Sequence, residues 1–186
     1  MEPDEPLRAI ASMNDAEAIR RSRDDPAAFA AVFDRHFPAV YAYAARRVGR
    51  ELAEEVAAEA FARAFAARRG YDGAHADALP WLLGIASNVM RRHWRAEKRR
   101  LHAYARSVAH EIPAGNPESA REAIEAVARL PRRQREVVLL HVWADLSYEQ
   151  IARALNIPIG TVRSRLNRAR GALGADPSLV QEPSRA

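Results

Sequence analysis

Between Pro26 and Val48 the apolar residues Phe29, Val32, Phe33, Phe37, Val40, Tyr41, Ala44 and Val48 recur at three- and four-residue spacing. That spacing predicts a helix with one buried face. Pro38 lies inside the run and lacks an N–H, so a kink or a split is expected there. A second helix is predicted from Glu51 to Arg69, with Leu52, Val56, Ala60, Ala64 and Phe65 near one face. Gly70, Gly73 and Pro80 then bracket a loop. A third helix begins near Trp81. Its stripe Leu82, Ile85, Ala86, Val89 and His93 continues into a basic stretch, Arg91–Arg106. No strand-like alternation of useful length interrupts this order.

Residues 107–119 (SVAHEIPAGNPES) carry two prolines, a glycine and an asparagine, and read as a linker. Beyond it come a helix near Ala120–Leu130 and another that starts at Pro131 and carries Val137, Val138, Leu140 and His141. The expected fold is therefore all-α, with two small helical domains joined by a flexible linker. The predicted divisions are a flexible acidic arm (1–24), a helical domain (25–106), the linker (107–119), a second helical domain (120–174) and a flexible tail (175–186).

The segment Leu146–Leu173 is the most informative. Ser147 suits an N-cap, and Gln150 three residues later completes a capping box. Ile151, Ala152 and Leu155 give this helix a buried face, and Asn156-Ile157-Pro158 ends it, because proline disfavours helical backbone at the residue before it. Thr161 is expected to help cap the helix that follows. There Val162, Leu166, Ala169 and Leu173 form one stripe, which leaves Ser164, Asn167 and Arg168 on the opposite side with Arg163, Arg165 and Arg170 at the edges. This is a helix-turn-helix whose second helix suits base edges in the major groove. An ordinary surface helix in an arginine-rich protein could look the same; the capped helix and the turn before it separate the two readings.

Charge adds a second candidate contact. The formal net charge is +5, and Lys98 is the only lysine among 29 basic residues. Arginine offers forked donors suited to phosphate and guanine edges. Arg91–Arg106 holds six arginines and Lys98 against one acid, Glu97, interleaved with His93, Trp94, His102 and Tyr104. Such a run can be a solvated face, or it can hold phosphates while rings stack on unpaired bases. Asn88, one turn before Arg92, carries an amide able to read a base. Trp81 and Trp143 are most simply core residues.

Enzyme chemistry is not expected. The absence of cysteine removes disulfides, thiolate metal sites and thiol nucleophiles. The six histidines show no paired metal-ligand spacing, no glycine-rich phosphate loop occurs, and no cofactor or metal is anticipated. The first 25 residues lack the apolar core of a signal peptide, and no apolar run nears the ~20 residues of a membrane span. A cytoplasmic location is expected.

Five stretches resemble the extracytoplasmic-function (ECF) sigma factors of the sigma-70 family. They are AEEVAAEAFARAF (Ala53–Phe65), YDG (Tyr71–Gly73), PWLLGIASNVMRRHWR (Pro80–Arg95), LPRRQREVVLLH (Leu130–His141) and LSYEQIARALNIPIGTVRSRLNRAR (Leu146–Arg170). The resemblance implies a transcription initiation subunit that binds core RNA polymerase through its clamp coiled coil and flap and recognises promoter DNA. An anti-sigma factor is a further possible partner, and no small-molecule substrate is implied. Carried onto this sequence, Glu55, Glu59 and Arg63 would bind polymerase. Asn88, Arg91, Arg92, Trp81, Tyr71, Asp72 and His75 would serve the −10 element, with a flipped base held at the loop Tyr71–Ala78. Arg163, Ser164, Arg165, Asn167 and Arg168 fall on the −35 reading positions. A freestanding helix-turn-helix regulator is the alternative, although it leaves Pro80–Arg95 without a role. The acidic arm is expected to shield the basic surface.

Overall fold

A computed structural model describes residues 13–108 and 117–173. Among them are nine α-helices: α1 (Asp15–Arg21), α2 (Ala30–Val48), α3 (Arg50–Ala67), α4 (Leu79–Met90), α5 (Trp94–Val108), α6 (Pro117–Arg129), α7 (Arg132–Ala144), α8 (Tyr148–Leu155) and α9 (Ile159–Ala172). Short 3₁₀ turns occupy Pro26–Phe29, Arg68–Gly70 and Arg91–His93. The all-α expectation holds for these residues, and no helix among them is long and apolar enough to cross a membrane.

Pro38 does not split its helix, and α2 runs through it. Pro38 and Asp34, whose carbonyl loses its helical partner, both lie on the exposed face, where water can replace that bond. The predicted third helix is broken at Arg91–His93, where a 3₁₀ turn separates α4 from α5.

The expected arm is corrected more substantially. Residues 15–21 form a helix whose Ala18 and Ile19 are fully buried in the core. Asn14 caps it, accepting the Glu17 N–H at 2.9 Å. The Asp15 carboxylate is engaged inside the fold, so it is not part of an acidic shield. Residues 1–12, the centre of the predicted linker (109–116) and the tail (174–186) lie outside the described residues.

The two helical groups pack against each other. A single apolar cluster includes Ile19, Val32 and Leu82 from the first group and Leu140, Ile151 and Leu166 from the second. Helix α5 lies along α6, and α4 lies on α8. Gly84 makes the second packing possible, since a Cβ there would collide with the backbone carbonyl of Ala154.

A buried polar network crosses the same junction. Glu97 of α5 accepts from Arg47 Nε of α2 at 2.6 Å through one carboxylate oxygen and from Arg135 of α7 at 3.4 Å through the other. Arg47 also donates to the hydroxyls of Tyr43 (2.7 Å) and Ser87 (3.2 Å). Arg135 donates to the carbonyls of Ala128 and Leu130. Burial opposes the Arg47 charge, but Tyr43, Glu97 and Glu136 outweigh it and hold its pKa above the ordinary value. Arg47, Arg135 and Glu97 thus each have a partner, as a low-dielectric interior requires.

Candidate nucleic-acid interface

The helix-turn-helix is built from its caps inward. The Ser147 hydroxyl accepts the Gln150 N–H at 3.2 Å, and the Gln150 side chain accepts the Ser147 N–H at 2.8 Å, so the capping box is present. Asp145 and Asn156 end α7 and α8 in left-handed backbone, each with φ of 50°. A short polar side chain tolerates that conformation. His141 Nδ1 donates to the Leu146 carbonyl at 2.9 Å, and its ring meets Tyr148 edge-on at 5.4 Å. Arg170 donates to the Tyr148 hydroxyl at 3.2 Å, which fastens the end of α9 to the start of α8. Thr161 is not the cap expected of it: α9 begins at Ile159 after Pro158, with no side-chain cap. Replacing Ser147 by Ala should cost about 1 kcal/mol in thermal or denaturant unfolding, the usual worth of such a cap; no measurable loss would show that the box is redundant.

Val162, Leu166 and Ala169 of α9 are buried, Leu173 is half-buried, and Arg163, Asn167 and Arg168 are exposed. Ser164 and Arg165 are half-buried, and the Ser164 hydroxyl donates to the Thr161 carbonyl at 3.1 Å. Three residues that the helical wheel could not supply join this face. Arg132, Arg133 and Gln134, at the N-terminus of α7, line a cleft of about 610 Å³ with Ser164, Arg165 and Arg168. A helix N-terminus adds its own positive end to those side chains. An adjoining cleft places Arg91 with Arg132, Arg133 and Arg165, which unites basic residues of both helical groups.

In the first group, Asn88 and Arg91 are exposed at the end of α4 and just beyond it. The side chains of Arg92 and Trp94 lie outside the described residues. Asp72 is exposed and His75 half-buried on the loop between α3 and α4. Tyr71 is different. It is 8% exposed, its ring packs on the half-buried Trp81 at 4.9 Å, and its hydroxyl reaches the carbonyls of His75 (2.8 Å) and Asp77 (3.2 Å). Burial and the nearby carboxylates of Asp15 and Asp77 push its pKa up to about 12. Tyr71 therefore supports the loop from beneath and is not presented to a ligand.

Sequence reasoning also missed Asp15. It is 2% exposed, and its carboxylate accepts the Ala78 N–H (2.7 Å), His36 Nε2 (2.6 Å) and Arg35. Burial would raise its pKa, but His36, the Ala78 N–H and Arg35 together hold it below the usual carboxylate value. With the folded pKa below the unfolded one, this group stabilises the fold above the ordinary aspartate range. That contribution is lost as pH falls through the folded value. Asp15, His36 and Asp77 bring ligand atoms within 4.8 Å of one another, yet the Arg35 guanidinium already supplies the positive charge a cation would.

Glu55 and Arg63 are exposed on α3, and Glu59 is half-buried and paired with Arg63 at 2.6 Å.

Among the described residues, a capped helix-turn-helix flanked by arginines is docked on a second helical group. Residues 32–100 match sigma-70 region 2, and residues 120–173 match sigma-70 region 4. The chain is 31% identical to the RNA polymerase sigma factor CarQ of Myxococcus xanthus over 76% of its length and 84% of that relative's. It is 36% identical to the sigma factor HrpL of Pseudomonas syringae, over 48% of this chain and 54% of HrpL. The match thus spans about half the length of HrpL. A solved structure of the sigma factor RpoE from Bartonella quintana, in complex with the anti-sigma factor NepR, superposes with a TM-score of 0.54 at 26% identity. It covers 78% of this chain and 93% of that one. The chain belongs to the ECF sigma factors of the sigma-70 family.

Proposed function

We propose that this chain is an alternative-type sigma factor, which binds core RNA polymerase and directs initiation at promoters through −35 and −10 elements. The observation that carries the reading is the outward face of α9. Arg163, Asn167 and Arg168 are exposed there on a helix whose other side is locked into the core, with Arg132 and Arg133 beside them. Ser164, Arg165, Asn167 and Arg168 read or brace the −35 duplex, with arginine contacts to phosphate giving affinity and base edges giving register. Asn88, Arg91 and the loop carrying Asp72 and His75 serve the −10 strand, while Glu55, Glu59 and Arg63 meet the polymerase clamp. An anti-sigma protein is included as a partner, because the related RpoE is held by NepR. Such a factor works in the cytoplasm as a regulatory subunit and catalyses nothing itself.

Run-off transcription with purified core polymerase and genomic DNA tests this directly. Initiation should depend on the chain and should require both elements, since unstacking costs a few kcal/mol per base and neither grip alone offsets it. Full activity from promoters mutated at one element would sink that requirement. Arg168→Ala should weaken binding to the −35 duplex by about tenfold or more, with relaxed preference at one base position. Equal weakening on every sequence would reassign Arg168 to a phosphate.

A further inference from the structure

We propose that Asp15 is a positioning residue for −10 recognition, holding the loop 71–78 in the shape that receives the promoter strand. The inference rests on the reading that this loop contacts the −10 element. The loop has an exposed rim formed by Asp72, Gly73 and Ala74. Its own side chains fix only part of it. The Ala74 N–H donates to Asp72 Oδ1 at 3.0 Å, and Tyr71 fastens the carbonyls of His75 and Asp77 from below.

The exit of the loop is held from outside. Asp15 donates its own N–H to the Ala76 carbonyl at 3.1 Å and accepts the Ala78 N–H at 2.7 Å, so one residue grips two loop positions through both backbone and side chain. Its carboxylate is in turn braced by consecutive residues of α2. His36 reaches one oxygen at 2.6 Å, and Arg35 pairs with the other while donating to the Met13 carbonyl at 2.8 Å. Asp15 thus ties α1, α2 and the entrance to α4 together at the foot of the loop. It is buried and touches no promoter strand itself, so its effect passes through loop geometry. A loop held at both ends pays less ordering entropy when a base is captured, and it presents one shape to discriminate bases.

The full chain is tested with core polymerase on the promoter recovered by run-off, together with versions carrying single substitutions in the −10 element. Asp15→Ala should lower open-complex formation by about tenfold or more and flatten the preference among −10 variants, as expected when positioning is lost. Binding to polymerase and to the isolated −35 duplex should not change. Amide hydrogen exchange at Ala78 should quicken in the variant. A variant that keeps full −10 discrimination, or that loses polymerase binding and −35 binding in step with open-complex formation, overturns the proposal. If Asp15→Ala does not fold, Asp15→Asn keeps the shape while removing the charge that Arg35 pairs with, and the same two outcomes apply. Asp72→Ala and His75→Ala judge the underlying reading separately. Unchanged −10 preference in both, with quickened exchange at Ala78 in the Asp15 variant, would leave the clamp real but remove the promoter role and with it the proposal.

Discussion

Glu97→Ala is expected to lower the stability of the chain by about 3–5 kcal/mol, because it strips the shared partner from two buried guanidinium groups. Glu97 is 3% exposed at its side chain, and Arg47 and Arg135 are 4% and 5%. Arg47 would keep the hydroxyls of Tyr43 and Ser87, and Arg135 would keep two backbone carbonyls, but neither set carries a negative charge. Total stabilities of such proteins lie near 5–15 kcal/mol, so a loss of this size should be plain in denaturant unfolding. Glu97→Gln preserves the shape and one acceptor, and should lose less. A Glu97→Ala chain within about 1 kcal/mol of the parent would show that water or relaxation replaces the carboxylate at little cost.

Gly84→Val should be nearly as severe, at or above the ~3 kcal/mol upper end of ordinary overpacking. The obstacle facing a new side chain is the Ala154 backbone carbonyl, which cannot swing aside as a side chain would. Relief requires α4 and α8 to separate. Small-angle scattering should then report a larger radius of gyration, and the Arg46 donation to the Trp143 carbonyl across the same junction should be lost. Unchanged scattering and unchanged stability would mean that the two helices slide past the intrusion.

The helices were legible in the sequence because their signals are local. Spacing marked α2, α3 and α9, and the Ser147–Gln150 capping box was visible in four residues. The run of α2 through Pro38 was not, since it depends on which face of the helix meets water. Helix α1 had a readable sign in Asn14 and Glu17, a cap residue followed by an acid three places on, but acidity masked it. The outward face of α9 was also legible, while Arg132 and Arg133 reach it only through tertiary packing. Glu97 stood out as the lone acid in a basic stretch, yet its partners lie 50 residues before it and 38 after, beyond any local pattern. Asp15 was hidden for the same reason, with its loop contact 63 residues away.

The core shared by both helical groups also bears on how the chain is made. The amino-terminal helices leave the ribosome first, and proteins tend to fold as units in that order. Here the face of α4 around Gly84 and one oxygen of Glu97 have their partners on α8 and α7. A nascent chain that has released only α1 to α5 therefore carries an unfinished apolar surface and a half-matched buried carboxylate. The carboxy-terminal helices arrive as the closing piece that matches both.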